Sequence, residues 1–330
     1  MTHFADQTGL PEGLPRYKGN LHSHTVNSDG HWTPEQSVAE HRSHGYQFLC
    51  LSDHDLFTDY SGAFDTEDFI ILPGIEASAV LVSDDGKDAR LATHHIHGIL
   101  GTDEMVAAAP RRFAHMERLE PGICRGGWDG RAVAQQVVDD LAAHGCAVMY
   151  NHPIWSRVDP ADVVGLEGCF AIEVHNFGTV EECALGHDTL FWDLMLRRGQ
   201  RLGGVASDDN HNAPDLPDSF GGWVMVAAPE LTRDAVVRAL VEGAFYASSG
   251  PSIENWGVRD GRAWVACSPC ERVSLIAGGP VGVGETRRSA GGPLLDYAEF
   301  ELNGTETYLR FECVDATGHA AWSNPLYPEA

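Results

Sequence analysis

The sequence predicts an α/β barrel followed by a small β-rich unit, and three observations carry that reading. From Tyr17 to about Ser249, short apolar runs alternate with stretches of helical period, the pattern of repeated βα units. Nearly every apolar run ends in His, Asp or Glu, as expected where parallel strands deliver polar groups to one face of a barrel. After Ser249-Gly250-Pro251 the helical stretches give way to short strands and turns. The expected division is therefore a barrel over 1–250 and a C-terminal β-rich accessory domain over 251–330.

The elements follow in order. Asn20-Leu21-His22-Ser23-His24 closes the first strand, and two imidazoles one residue apart share a strand face and can grip one metal ion. Thr33-Pro34-Glu35-Gln36 reads as an N-cap, a proline in the first turn and a capping box, with Gly45 past the last turn. Further strands are expected to end at Phe48 to His54, Ile70 to Glu76, His95 to His97, Ala147 to His152, Ala171 to His175 and Gly204 to Asp209. Val133, Val137, Val138 and Leu141 give Arg131 to His144 one apolar face, and Thr232 caps a helix carrying Val236, Val237, Leu240 and Val241. In the C-terminal part, Phe300 to Leu302 and Tyr308 to Val314 flank Asn303-Gly304 and read as a half-buried hairpin. Gly278 to Gly284 lacks a following Lys-Ser/Thr, so a turn is expected there rather than a phosphate cradle. The close pair in Cys267-Ser268-Pro269-Cys270 has no second pair and reads as buried thiols.

Composition narrows the partners. A formal charge of −26, from 22 Lys+Arg against 48 Asp+Glu, opposes duplex nucleic acid, whose binding needs cations to displace phosphate counterions. A small anionic molecule stays open, because divalent ions invert the field inside a pocket. No apolar run approaches the roughly 20 residues needed to cross a bilayer, and the polar start from Met1 to Tyr17 does not resemble a secretory signal. The expectation is a cytoplasmic protein without a membrane partner; the oligomeric state is not readable.

Imidazoles and carboxylates at converging strand ends suit borderline divalent cations, with one carboxylate bridging two ions. On that ground the ligand candidates are His22, His24, Asp29, His54, Glu76, His95, His152, Asp209 and His211. His94 and His97 compete with His95, and Asp208 with Asp209.

The motifs Asn20-Leu21-His22-Ser23-His24-Thr25, Ser28-Asp29-Gly30, Ser52-Asp53-His54, Pro73-Gly74-Ile75-Glu76, His152-Pro153 and Asp209-Asn210-His211 resemble those of the polymerase and histidinol phosphatase (PHP) metallohydrolases. Gly221 to Val226, Phe245 to Pro251 and Ala321 to Pro325 are similar to the carbaryl-hydrolase-like branch. The resemblance implies a distorted TIM-like barrel of seven βα units holding two or three divalent ions, Mn, Fe or Zn. His22, His24, Glu76 and Asp209 would hold one ion, Glu76, His95 and His152 a second, and Asp29, His54 and His211 a third. The implied activity is hydrolysis, first of a small phosphorylated metabolite by a hydroxide shared between ions. The alternatives are an ester or carbamate hydrolase with the same centre, and a metal-binding module without activity. Asp53 and Asp208 are candidates for orienting ligand imidazoles, and His97 and His175 for giving a proton to the leaving group. Arg157, then Arg125, Arg197 and Arg198, are candidates for gripping an anionic substrate, with Trp155 among the aromatics of a pocket.

Overall fold

A computed structural model describes residues 2–329. Seven strands form the barrel wall, in the spatial order Arg16–Asn20, Phe48–Leu51, Ile70–Val82, Arg90–Leu100, Cys146–Tyr150, Cys169–Asn176 and Gly203–Ser207. The wall closes past the strand ends, where Ser23 bridges Asn210 in parallel and the backbone bonds from His24 N to Asn210 O (3.0 Å) and from Asp209 N to His22 O (2.9 Å) join the first strand to the last. The His-x-His pair therefore lies just beyond its strand, in this closing segment.

One connection departs from βα repetition. Ile70–Val82 and Arg90–Leu100 form a long antiparallel hairpin, with Glu76 opposite His97 and the charged stretch after Val82 as its turn. Arg90–Leu100 therefore runs against its neighbours on both sides. Glu76 and His95 consequently sit inside long strands rather than at strand ends. The barrel is distorted because one of its seven strands is reversed.

The strands are apolar on both faces, as expected for strands buried between a barrel interior and covering helices. Phe48, Cys50, Leu72, Met149 and Val205 pack together in one cluster, while their chain neighbours Leu49, Leu51 and Ile71 pack with Val38 of the helix Pro34–Ser43. Thr33 caps that helix and completes the box with Gln36, an arrangement worth about 1 kcal/mol. On the far side Val148, Ile172 and Val174 meet Val138 and Leu141 of Gly130–Ala143 and Trp192 and Met195 of Thr189–Arg197. The helices Phe177–Cys183 and Thr189–Arg197 have no counterpart in the sequence-based expectation.

The sheet continues from the first barrel strand through Trp223–Ala227 and Phe245–Ser248 into Ala320–Ser323, Leu309–Val314, Arg272–Ala277 and Glu285–Arg288. A second sheet, Gln7–Thr8, Ile253–Arg259, Arg262–Cys270 and Leu295–Glu301, covers it, with Trp256, Phe300 and Phe311 in the shared core. The expected Asn-Gly hairpin is not formed. Leu295–Glu301 pairs with Arg262–Cys270, whereas Leu309–Val314 pairs with Arg272–Ala277 and Ala320–Ser323, so Asn303-Gly304 turns the chain from one sheet to the other. Glu306 accepts the backbone N–H groups of Asn303, Gly304 and Thr305 and fixes that turn. Nor is the second of these strands half-buried: Leu309, Phe311 and Cys313 face the sandwich core, while Arg310 lies 4.3 Å over the Trp192 ring of the barrel. The Gly278–Gly284 stretch is the turn between Arg272–Ala277 and Glu285–Arg288, as expected.

Candidate metal centre

The closing segments and the reversed strand bring all nine ligand candidates into one cluster. His22 Nε2 lies 3.2 Å from Glu76 Oε1 and 3.0 Å from Asp209 Oδ1, and His24 Nε2 lies 3.0 Å from the same Asp209 oxygen. Around Glu76, His54 Nδ1 approaches Oε2 at 2.9 Å, while His95 Nδ1 and His152 Nε2 each lie 3.3 Å from Oε1. Asp29, on the open side, lies 3.4 Å from His211 Nε2, 3.6 Å from His54 Nε2 and 3.9 Å from His24 Nδ1. Ligand atoms within 4.8 Å of one another form the groups His22/His24/Glu76/Asp209, His54/Glu76/His95 and His24/Asp29/His54/His211. The groups implied by the resemblance thus recur with two differences. His24 and His54 each belong to two groups, turning one ring nitrogen to Asp29 and the other inward, and His54 takes the place beside Glu76 and His95 while His152 falls in a group with His22 and Glu173.

Local backbone geometry aims these side chains. Asp209 has φ 52°, and Asp55, the residue after His54, has the same value, in the left-handed region that aspartate tolerates better than most residues. His152 has φ 21° just before Pro153, a position where extended backbone is preferred. Such conformations cost on the order of 1–3 kcal/mol each and persist where the surroundings fix them. Here His152 N donates to Glu173 Oε2 at 3.0 Å, and Ser156 holds the ring through Nδ1 at 3.1 Å.

The cluster is buried except toward Asp29, whose side chain is 57% exposed. Burial alone would lower the pKa of His22, but Asp209, Glu76 and Glu173 raise it well above the ordinary imidazole value. Burial likewise pushes Glu76 and Asp209 up, yet the surrounding imidazoles hold both well below the carboxylate range. His152, bonded to Glu76, and His211, bonded to Asp29, rise to about 9 against burial. His95, where burial prevails over Glu76, falls to about 4. In the metal-free protein, protons on imidazoles thus neutralise the carboxylates.

The donor set fits divalent ions. Glu76 Oε2 and His95 Nδ1 are buried and, among the described residues, have no partner in hydrogen-bond geometry, although imidazoles and a carboxylate crowd them at contact distance. Buried polar atoms left this way are costly unless an ion takes them up. Glu76 also turns its two oxygens to different imidazoles, the arrangement of a bridging carboxylate.

Of the three competing histidines, His95 faces Glu76. His94 turns outward, with Nδ1 2.6 Å from the Tyr150 hydroxyl and its ring 4.5 Å from Trp128. His97 shares the inward face but lies beneath the cluster, with its ring centroid 5.0 Å from that of His22 and Nε2 3.5 Å from Cys50 Sγ. It is fully buried there. His175 is also displaced: a register irregularity between Glu173 and His175 breaks the alternation, and its ring packs 5.5 Å from Trp322 and 5.2 Å from His187. Neither histidine lines the cavity over the cluster.

Asp53 and Asp208 touch no ligand imidazole through their carboxylates. Asp53 holds the loop after His24 by accepting from Thr25 N (2.8 Å), Ser28 Oγ (2.8 Å) and Thr25 Oγ1 (2.9 Å). Asp208 accepts from Phe220, Gly221 and Gly222 N, each at 2.9 Å. The residue missed by sequence reasoning is Glu173, which lies 2.7 Å from His22 Nδ1. Its position on an inward-facing strand ending was the available signal. Asn151, which donates to Glu76 Oε1 at 2.6 Å, and Asn176, which donates to Asp209 Oδ2 at 3.0 Å, were also missed.

A cavity of about 360 Å³ over the cluster is lined by Asp29, His54, Arg90, His95, His152, Trp155, Glu182, Asp209, His211 and Asp218, among others. It shares Asp29, His54, Arg90 and His95 with a second cavity of about 440 Å³ that adds Arg118, Val80, Val82 and Ile123. Trp155 therefore stands at the site, and its Nε1 donates to Glu182 at 2.8 Å. The four expected arginines do not. Arg125 pairs with Asp88, and exposed Arg157 lines neither cavity. Arg197 and Arg198 end the helix that leads into the start of Gly203–Ser207, so they lie at the opposite end of the barrel from the cluster. Arg90 and Arg118 line the second cavity instead, and among the described residues neither forms an ion pair.

No protein-family model matches the chain, and no curated protein matches it. Among solved structures it is similar to a two-domain protein from Bacteroides vulgatus containing a predicted PHP-like metal-dependent phosphoesterase, with 14% identity over 99% of both chains and a TM-score of 0.45. It is also similar to a proposed metal-dependent phosphoesterase from Bifidobacterium adolescentis, with 16% identity over 68% of this chain and 95% of that one and a TM-score of 0.42. A third is an amidohydrolase from Chromobacterium violaceum with bound sulfate and no metal, at 17% identity over 69% of this chain and 96% of that one, with a TM-score of 0.40.

Proposed function

We propose that the chain is a metal-dependent hydrolase of PHP type, acting on a small phosphoester. The observation that carries this reading is the convergence of His22, His24, Asp29, His54, Glu76, His95, His152, Asp209 and His211 around the unpartnered Glu76 Oε2 and His95 Nδ1. Two or three divalent ions held there would act as Lewis acids and lower the pKa of water. Glu76 and Asp209 supply the buried negative charge, and Asp29 with His211 closes the outer side. Arg90 and Arg118, unpaired at the rim in so acidic a chain, would hold the anionic group of the substrate. Trp155, 5.2 Å from the His152 ring, offers a flat apolar face to the leaving group.

The second reading, hydrolysis of a carboxylic ester or carbamate as in the carbaryl-hydrolase-like branch, is favoured by the apolar wall of Val80, Val82 and Ile123. The same protein, loaded with Mn or Zn, is assayed against para-nitrophenyl phosphate, bis-para-nitrophenyl phosphate and para-nitrophenyl acetate. Phosphoester turnover that disappears in Glu76→Ala supports the proposal. Acetate turnover alone, lost in the same variant, sinks the phosphoesterase reading. A chain that binds no divalent ion tighter than millimolar sinks the hydrolase reading altogether.

A further inference from the structure

We propose that Glu173 is the positioning residue of the metal centre, locking His22 so that Nδ1 carries the proton and Nε2 is presented to an ion. The inference rests on the metal-centre reading above. Glu173 is fully buried, and each of its oxygens is engaged. Oε1 lies 2.7 Å from His22 Nδ1 and accepts from Ser207 Oγ, while Oε2 accepts from His152 N and Asn176 Nδ2, both at 3.0 Å.

This pattern separates Glu173 from the ligands. Glu76 has an oxygen with no hydrogen-bond partner, whereas each oxygen of Glu173 meets two hydrogen-bonding groups from different parts of the chain. Although Glu173 falls in a group with His22 and His152 that could hold an ion, its acceptor positions are already taken. What remains is an orienting role. A carboxylate on one ring nitrogen fixes the tautomer, stops the ring turning and makes the other nitrogen a better donor to a metal. His22 Nε2, on the far side of the ring, is the atom 3.0 Å from Asp209 Oδ1 and 3.2 Å from Glu76 Oε1.

The same carboxylate reaches two more ligands. Through His152 N it fixes the turn that carries that imidazole, and through Asn176, which also donates to Asp209 Oδ2 at 3.0 Å, it steadies Asp209. Glu173 thus joins segments that bear His22, His152 and Asp209, and its main action is on His22, the ring it touches directly.

The test is a double-mutant cycle on the full chain, read as affinity for Zn in competition with a chelator. Wild type, Glu173→Gln, His22→Ala and the double variant are each stripped of metal and titrated. Loss of an orienting partner is expected to weaken one class of ion on the order of 10–100-fold while the remaining ions bind within about threefold of wild type. Glutamine keeps one oxygen to accept from His152 N and Asn176 Nδ2, so the change falls on the contact with His22, and the double variant is expected to match His22→Ala within about threefold. An unchanged affinity in Glu173→Gln overturns the proposal, as does a double variant weaker than His22→Ala by the full factor of the single change, which makes Glu173 an independent ligand or scaffold. If Glu173→Gln does not fold, Glu173→Asp keeps the charge and withdraws it by one methylene, and it must weaken the same ion at least tenfold. A purely structural contribution lowers the melting temperature but does not single out one ion. Absence of divalent binding in wild type is a different result, which removes the metal reading itself.

Discussion

Asp208 and Asp209 are adjacent in sequence and opposite in role, and replacing each by asparagine separates the two. Asp208 is fully buried and accepts three backbone N–H groups of Phe220, Gly221 and Gly222, each at 2.9 Å. Asparagine keeps one acceptor oxygen and sets an amide N–H2 against a donor. At least one bond to a charged acceptor is lost, worth about 1.5–3 kcal/mol, and a buried donor is left bare, so Asp208→Asn should cost roughly 2–4 kcal/mol. For 330 residues the unfolding entropy is roughly 0.7 kcal/mol per degree, which converts that cost to a drop of about 3–6 °C in Tm. Bound metal, counted by elemental analysis, should not change. Asp209 Oδ1 instead lies 3.0 Å from both His22 Nε2 and His24 Nε2, so Asp209→Asn removes the charge between the two imidazoles. Its expected effect is loss of at least one ion, beyond the roughly 10–100-fold weakening typical of outer partners. Differential scanning calorimetry with metal analysis reads both. Asp208→Asn that sheds metal at unchanged Tm would refute the assignment of Asp208 to the loop.

Ion affinity should rise with pH, because His152 and His211, both raised to about 9, must release protons to bind metal; calorimetry at several pH values reads it, and a flat profile contradicts the neutralised cluster. In the metal-free chain the contribution of these two imidazoles to stability is complete below the unfolded value of about 6.5 and disappears as pH rises through about 9, so with chelator Tm should fall across that window. Arg90→Ala and Arg118→Ala should each raise KM for a phosphomonoester by about 10–100-fold, the equivalent of one charged hydrogen bond, and leave the neutral acetate within about threefold. Equal effects on both substrates would place the arginines outside substrate recognition. Chelation of a saturated sample should lower Tm, since an ion at 100 times its Kd contributes about 2.7 kcal/mol, or roughly 4 °C here.

Local signals were legible wherever local physics decides the outcome. Thr33, Pro34 and Gln36 specify a helix start in any context, and the structure shows the capping box in full. Alternation also survives, with Phe48 and Cys50 in one cluster and Leu49 and Leu51 in another. Pairing between strands was not legible. Asn303-Gly304 has hairpin chemistry, yet Leu295–Glu301 and Leu309–Val314 each find a different partner, and Ala298 and Phe300 of the one meet Leu309, Phe311 and Cys313 of the other across the core between two sheets. The arginines failed for a related reason. Proximity to a motif suggested Arg157, but Arg90 reaches the cavity because the hairpin from Ile70 to Leu100 extends beyond the barrel wall.

Strand direction explains why His94-His95-Ile96-His97 could not be resolved from sequence. Alternation puts His95 and His97 on one face and His94 on the other, which the structure shows in the contact of His94 with Tyr150. The choice between the remaining two is a matter of depth, about 7 Å over two residues. In a strand parallel to its neighbours, the later residue lies nearer the mouth, and His97 would meet the ions. Arg90–Leu100 is antiparallel to Ile70–Val82 and to Cys146–Tyr150, so the chain descends into the barrel and the earlier residue lies nearer the mouth. His95 accordingly meets Glu76 at 3.3 Å, while His97 packs below against Cys50. The reversal comes from the hairpin turn after Val82, which supplies no helix to carry the chain back to the base of the sheet. A connection rather than a motif therefore decides which histidine faces Glu76. The same reversal leaves Arg90 at the outer start of its strand, on the rim of the cavity that His95 lines.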